Sequence, residues 1–228
     1  MRLTLRHRFA FARPLPGGLD TPQAWDALRG GEDSFGLPAR RADWEAAADR
    51  PDLARRAADV AAVTESIGAG RVCSYGVGTG MLEWNLHRLA PQLELECTDF
   101  APQAVARLAE HFDGASVVVH DLRADPPRDA ELHVLHRVDT ELSDDEWPAV
   151  LARFREPVLM VVSEVVDARA VLRELATRVR HPRAEQAGWI RTEAAFRALW
   201  STTHDEQRVQ VGELAAYLLR PKARPEGR

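Results

Sequence analysis

The chain has 228 residues, 45% of them hydrophobic and 29% charged, with the charges dispersed along it; that is enough to bury one sizeable core and excludes a disordered chain. Its formal net charge of -5 gives no general attraction to phosphate backbones or anionic lipid, which argues against nucleic acid and membrane as partners and toward a small molecule. Two cysteines, Cys73 and Cys97, do not make a disulfide framework. No apolar stretch approaches the roughly 18 residues of a membrane span or forms a signal core, so a cytoplasmic protein is expected.

Residues 1–42 hold Pro14, Pro16, Gly17, Gly18, Pro22, Gly30, Gly31, Gly36 and Pro38. Such a density of breakers leaves only short helices around Trp25 and Leu28, so 1–50 reads as an irregular cap. Arg2, Arg6, His7 and Arg8, like Arg220, Lys222, Arg224 and Arg228 at the other end, read as solvated ends. From Pro51 the positions Leu53, Ala57, Val60, Thr64 and Ile67 recur at helical spacing until Gly68 and Gly70 stop the pattern, which predicts an amphipathic helix.

Short apolar runs then alternate with helical patterns: strand 71–75, helix 81–90, strand 93–98, helix 102–112, strand 116–120, strand 132–137 and strand 158–162. This alternation predicts a doubly wound α/β domain over 51–220, with a mostly parallel sheet and helices on both faces. Ser143 and Glu146 have the spacing of a capping box ahead of Trp147, Val150, Leu151 and Phe154. Helices are expected around 171–179 and after Thr192. Two late strand-like runs, 207–211 and 213–219, are divided by Gly212 and suggest a hairpin or bulge at an antiparallel sheet edge; 221–228 is a short tail.

The most informative segment is Ser74-Tyr75-Gly76-Val77-Gly78-Thr79-Gly80, between a strand and a helix. Glycines there let a ligand approach the backbone at a helix N-terminus, whose N–H groups are unpaired. The dinucleotide fingerprint needs a further glycine where Met81 stands, which disfavours NAD. A second strand ends in Asp99, about 20 residues after the turn, where a carboxylate can accept from both ribose hydroxyls of an adenosine. A third ends in His120-Asp121-Leu122. Three strands thus deliver the glycines, Asp99 and Asp121 to one sheet edge.

In these motifs, and in its closing strand runs, the chain resembles the class I S-adenosylmethionine-dependent methyltransferases over about residues 50–220. The resemblance implies S-adenosylmethionine as cofactor. Gly76, Gly78 and Gly80 would line its methionine and ribose, Asp99 the ribose hydroxyls, Phe100 the adenine face, and Asp121 with Leu122 the adenine amino edge. Ser74 departs from the family, which usually carries an acid two places before the first glycine; its contact toward the methionine amino group is weakened or comes from elsewhere. Ser74 and Tyr75 complete the expected cofactor-binding set.

For the acceptor, the fourth strand ends in His136-Arg137-Val138-Asp139-Thr140-Glu141. His136 is the candidate general base, since its ordinary pKa lies near neutrality, with Arg137 and Asp139 beside it; the alternative is a core histidine next to a local ion pair. Trp25, Phe35, Trp44 and Tyr75 are candidates for an apolar lid or for core. No Asn/Asp-Pro-Pro-Tyr or Pro-Cys signature of base methylation occurs, and no histidine or acid spacing is diagnostic of metal. The expected function is methyl transfer to an O, N or C nucleophile of a small molecule. An RNA methyltransferase using the basic ends, and a methyltransferase-like binding or assembly protein without turnover, remain alternatives, and a homodimer is left open.

Overall fold

Along the strand Arg71–Tyr75, Val72 packs into one apolar cluster while Cys73 and Tyr75 pack into another, the two-sided burial of a strand covered on both faces. The computed structural model describes residues 2–9, 21–31, 36–181 and 185–223. Pro14 to Gly18, Phe35, Arg224 and Arg228 lie outside the described residues.

In chain order the elements are β1 (Thr4–Phe9), α1 (Pro22–Arg29), α2 (Arg41–Ala48), α3 (Pro51–Ile67), β2 (Arg71–Tyr75), α4 (Met81–Leu89), β3 (Glu94–Asp99), α5 (Pro102–His111), β4 (Ser116–Val119), β5 (Leu132–His136), α6 (Glu146–Leu151), β6 (Val158–Val161), α7 (Ala168–Arg180), β7 (Glu185–Arg191), α8 (Glu193–Trp200), β8 (His204–Val211) and β9 (Leu214–Pro221).

The main sheet has seven strands in the order β4-β3-β2-β5-β6-β9-β8. Strands β2 to β6 pair in parallel, and β9 runs antiparallel between β6 and β8. Helices α3 and α4 supply Val60, Val63, Leu82 and Leu86 to one face; α6 and α8 supply Trp147, Leu151, Phe196 and Trp200 to the other. Strand order reverses at β2, so the crevice at the carboxyl ends of β2 and β5 is where a doubly wound sheet presents its ligands.

The parallel strands and the α3 and α4 helices fall within a residue or two of the sequence reading. Pro51 opens α3 and Gly68, at φ 68°, closes it in the left-handed conformation, as glycine does at helix ends. The Ser143–Glu146 pair makes reciprocal contacts, Ser143 N–H to Oε2 at 2.8 Å and Glu146 N–H to Ser143 Oγ at 3.3 Å, but α6 itself is a short helix ending at Leu151, before Phe154.

The N-terminal segment differs from the irregular cap. Strand β1 pairs antiparallel with β7, Leu5 opposite Ile190 and Arg6 opposite Trp189, and packs through Leu3 and Leu5 against Ala170 and Val171 of α7. Two of its basic side chains are engaged within the fold: Arg6 stacks 4.6 Å from the Trp189 ring centroid and His7 lies 3.3 Å from Glu174. Helix α2 buries Trp44 fully, and the indole donates its Nε1–H to the Thr79 carbonyl at 2.7 Å, so of the two readings of this residue the structure gives core. No helix among the described residues is long and apolar enough to cross a membrane.

Candidate active site

The glycine turn follows β2 at the reversal point. Gly76 and Gly78 have φ of 64° and 59°, a region that side chains rarely enter, and space reinforces the requirement. A Cβ on Gly76 would run into Val138, and one on Gly78 into the Arg29 guanidinium. Val138 and Arg29 therefore approach the turn as closely as they do only because neither glycine has a side chain. Trp44 braces the outside of the turn through Thr79.

Asp99, at the end of β3, is buried. Its Oδ2 accepts from the Gly78 N–H at 2.9 Å and its Oδ1 from the Ala101 N–H at 3.0 Å, so one carboxylate fixes the turn and the start of α5. At the end of β4, Asp121 closes a local turn, its Oδ1 accepting from the Arg123 N–H at 2.8 Å.

Between these ends lies an open cleft lined by residues that include Gly76, Asp99, Phe100, Asp121, Leu122, Arg137, Val138 and Glu141. Trp25 and Arg29, from α1, form part of its lining. His120, which also lines it, bonds the Pro126 carbonyl through Nε2 at 3.0 Å and keeps a buried Nδ1 without a hydrogen-bond partner.

Comparison with solved structures places this architecture. Human N-acetylserotonin methyltransferase, solved with S-adenosylmethionine, superposes with a TM-score of 0.60 at 21% identity, covering 87% of this chain and 65% of that one. The fold is that of the class I S-adenosylmethionine-dependent methyltransferases. Mitomycin 7-O-methyltransferase has the same methyltransferase fold, with a TM-score of 0.57 at 16% identity over 91% of this chain and 74% of that one. So has an O-methyltransferase from neocarzinostatin biosynthesis, solved with S-adenosylmethionine and 2-hydroxy-5-methyl naphthoic acid: TM-score 0.53, 20% identity, 68% of this chain and 50% of that one. No protein-family model and no curated protein matches the chain. It spans less than two thirds of the length of the N-acetylserotonin enzyme.

Within this methyltransferase fold the residues singled out from sequence divide into two groups. Gly76, Asp99, Phe100, Asp121, Leu122 and Arg137 all line the cleft, and Gly78 lies against it beneath Arg29. Gly80 caps α4 instead, packed against Leu108. Ser74 and Tyr75 turn their side chains away. The Tyr75 ring is buried on the α6 face, its hydroxyl accepting from the Arg128 N–H at 2.9 Å and lying 3.1 Å from His133 Nδ1. Burial holds His133 down to about 4, so the imidazole is neutral and can accept the tyrosine proton.

Ser74 donates to a buried carboxylate, Glu83 Oε1, at 2.6 Å. The acid missing from β2 is thus present on α4, one layer away, and burial pushes it up to about 7 despite the Ser74 hydrogen bond. Only the spacing of nine residues between Ser74 and Glu83 signals this in the sequence, and a helical acid is ordinarily a solvated one.

The catalytic candidates are separated. Arg137 lines the cleft, with φ at 61°, the one positive-φ non-glycine among the described residues. His136 points to the other side, where its Nε2 is buried without a hydrogen-bond partner and burial, with Arg137 and Arg56 nearby, lowers it to about 3; it is not part of the cleft lining. Asp139 is buried as well, its Oδ1 accepting from the Ser163 N–H at 2.8 Å and Oγ at 2.9 Å, which ties the ends of β5 and β6. Glu141, named from sequence only as part of this run, is the acid that reaches the cleft from it. Among the described residues no group of three or more His, Cys, Asp or Glu is placed to hold a metal ion.

Proposed function

We propose that this protein transfers a methyl group from S-adenosylmethionine to a hydroxyl of a small aromatic molecule. The observation that carries the donor half is the cleft at the sheet reversal, where a glycine turn with no room for a Cβ meets the carboxylate of Asp99. These residues fit an adenosine ligand: Asp99 accepts ribose hydroxyls, Phe100 and Leu122 flank a flat base, and Asp121 meets its polar edge. Bound there, S-adenosylmethionine supplies an electrophilic methyl group on a sulfonium.

What the chain adds is alignment, exclusion of water and a destination for the acceptor's proton. Trp25, Val138 and Leu142 give the acceptor side an apolar lining suited to an aromatic ring. Glu141 takes the hydroxyl proton, and the guanidinium of Arg137 stabilises the developing phenolate. The role of base passes from His136, held neutral and off the cleft, to Glu141. The named neighbours that methylate oxygen, one with a naphthoic acid bound, support oxygen as the nucleophile.

Methyl-labelled S-adenosylmethionine incubated with a panel of phenols, aromatic amines and aromatic thiols tests this reading. Label should enter phenols, and E141Q should slow that transfer by roughly 100-fold, the usual contribution of a positioned base. Label entering amines alone would contradict it.

A further inference from the structure

Helix α7 follows β6 in the chain but packs through Ala170 and Val171 against Leu3 and Leu5, away from the main sheet. Helix α8 covers the sheet face there through Phe196, Leu199 and Trp200. Ahead of Phe196, between Glu193, the end of β6 and the β8–β9 hairpin, an open cavity of about 300 Å³ remains, at the lower end of the range for small-molecule sites. It shares no lining residue with the cofactor cleft. Val162, Val165 and Leu214 give it apolar walls. Tyr217, in the same lining, is 1% exposed, its ring 5.1 Å from that of Trp200, and its buried hydroxyl has no hydrogen-bond partner. Arg208 stands opposite Tyr217 in the β8–β9 register and therefore on the same face. Glu193, the first residue of α8, lies 3.9 Å from Arg208, beyond hydrogen-bond reach. Burial and then the Glu193 carboxylate raise the Tyr217 hydroxyl from its ordinary pKa, while Arg208 lowers it, so the three groups share one corner of the cavity.

We infer that this cavity is a second binding site, and that its ligand is a zwitterionic α-amino acid with an apolar side chain. The site lies outside the methyl-transfer reading and does not depend on it. The other acids of the lining are neutralised by arginines outside it, Glu164 by Arg173 and Glu213 by Arg56. What faces the cavity is a carboxylate and a guanidinium held close without a hydrogen bond, beside a hydroxyl able to donate or accept. Arg197, at 3.3 Å, and Arg208 both approach Glu193 at Oε1, which leaves Oε2 to a ligand ammonium. The ligand carboxylate meets Arg208 in a charge-assisted bond and accepts the Tyr217 proton, which relieves a buried polar group left unpaired in the free protein. The side chain lies against Val162, Val165 and Leu214. A ligand with a single charge would satisfy one member of the Glu193–Arg208 pair and confront the other with like charge.

Calorimetric titration with L-valine, L-leucine and L-phenylalanine tests the site. Each is run beside its amino alcohol, which lacks the carboxylate, and its deaminated acid, which lacks the ammonium. At least one amino acid should bind the wild-type protein saturably, with both of its truncated analogues about 10- to 100-fold weaker, the range for hydrogen bonds to charged groups. Y217F removes no hydrogen bond of the free protein; it should keep the wild-type unfolding temperature and lose about 3- to 10-fold in affinity for the amino acid. R208Q should weaken the amino acid by about 10-fold or more and leave the amino alcohol unweakened. Binding of none of the three amino acids would overturn the site. Equal affinity for an amino acid and its amino alcohol would overturn the ligand class, and affinity unchanged in Y217F would place the ligand elsewhere.

Discussion

The backbone N–H of Gly78 donates to Asp99 Oδ2 at 2.9 Å, so the residue proposed to receive the ribose also holds the glycine turn in place. Because Asp99 is buried and also caps Ala101, its replacement has two separable effects. D99N keeps the volume and removes the charge but sets an NH2 donor against one of the two backbone N–H groups; it should weaken S-adenosylhomocysteine binding by roughly 10- to 100-fold and cost about 1 kcal/mol of stability. D99A strands two backbone donors and should also cost about 1–3 kcal/mol in urea unfolding. Full affinity in D99N would contradict the ribose assignment.

Glu83 predicts a pH dependence. Burial raises this carboxyl to about 7 from its ordinary 4.5, so between those values the folded state holds a proton that the unfolded state has released. Stability from this site is then present below about pH 4.5 and is lost as the pH rises toward 7. The full difference is roughly 3 kcal/mol, since each tenfold change in proton affinity is worth about 1.4 kcal/mol. E83Q, still able to accept from Ser74, should match wild type near pH 4.5 and exceed it above pH 7. Parallel unfolding curves at all pH values would count against a neutral Glu83.

Arg191 organises the other wall of the cleft. Fully buried, it donates from Nε to Asp144, from Nη1 to the Asp139 carbonyl and from Nη2 to the Leu142 carbonyl, each at 2.6 Å. R191M leaves these acceptors unpaired and should cost about 3–5 kcal/mol. Lysine cannot span three directions, so R191K should recover less than half of that loss; complete rescue by R191K in thermal unfolding would show that the charge alone matters.

Arg137 holds a left-handed conformation that is costly for any residue with a Cβ. R137G should therefore raise stability by roughly 1 kcal/mol, while raising the KM for a phenolic acceptor and leaving cofactor affinity unchanged. A destabilised R137G would mean that the side chain supports the fold.

The sheet and the strand ends that line the cleft are legible in the sequence because each is encoded locally. Strands β2, β3 and β4 end in the glycines, Asp99 and Asp121, and parallel topology alone carries those ends to one edge. Strands β1 and β7 are made by each other, Leu5 meeting Ile190 across most of the chain; the alternation of Leu3, Leu5 and Phe9 with Thr4, Arg6 and Arg8 is a strand signal that the run of prolines and glycines following it outweighs in a local reading. Arg29 is hidden for a similar reason, since its place depends on Asp26 capping a helix far along the sequence. His136 misleads because a strand end does not say which face the last side chain takes; Leu135 packs on the α6 side, and His136, one residue on, falls on the opposite one.

The account depends first on what the cleft binds, and calorimetric titration of the purified protein with S-adenosylhomocysteine, run beside NAD, measures that without needing the acceptor. Saturable one-to-one binding of S-adenosylhomocysteine, and none of NAD, is the predicted result. Binding of NAD in its place, or of neither, would contradict it.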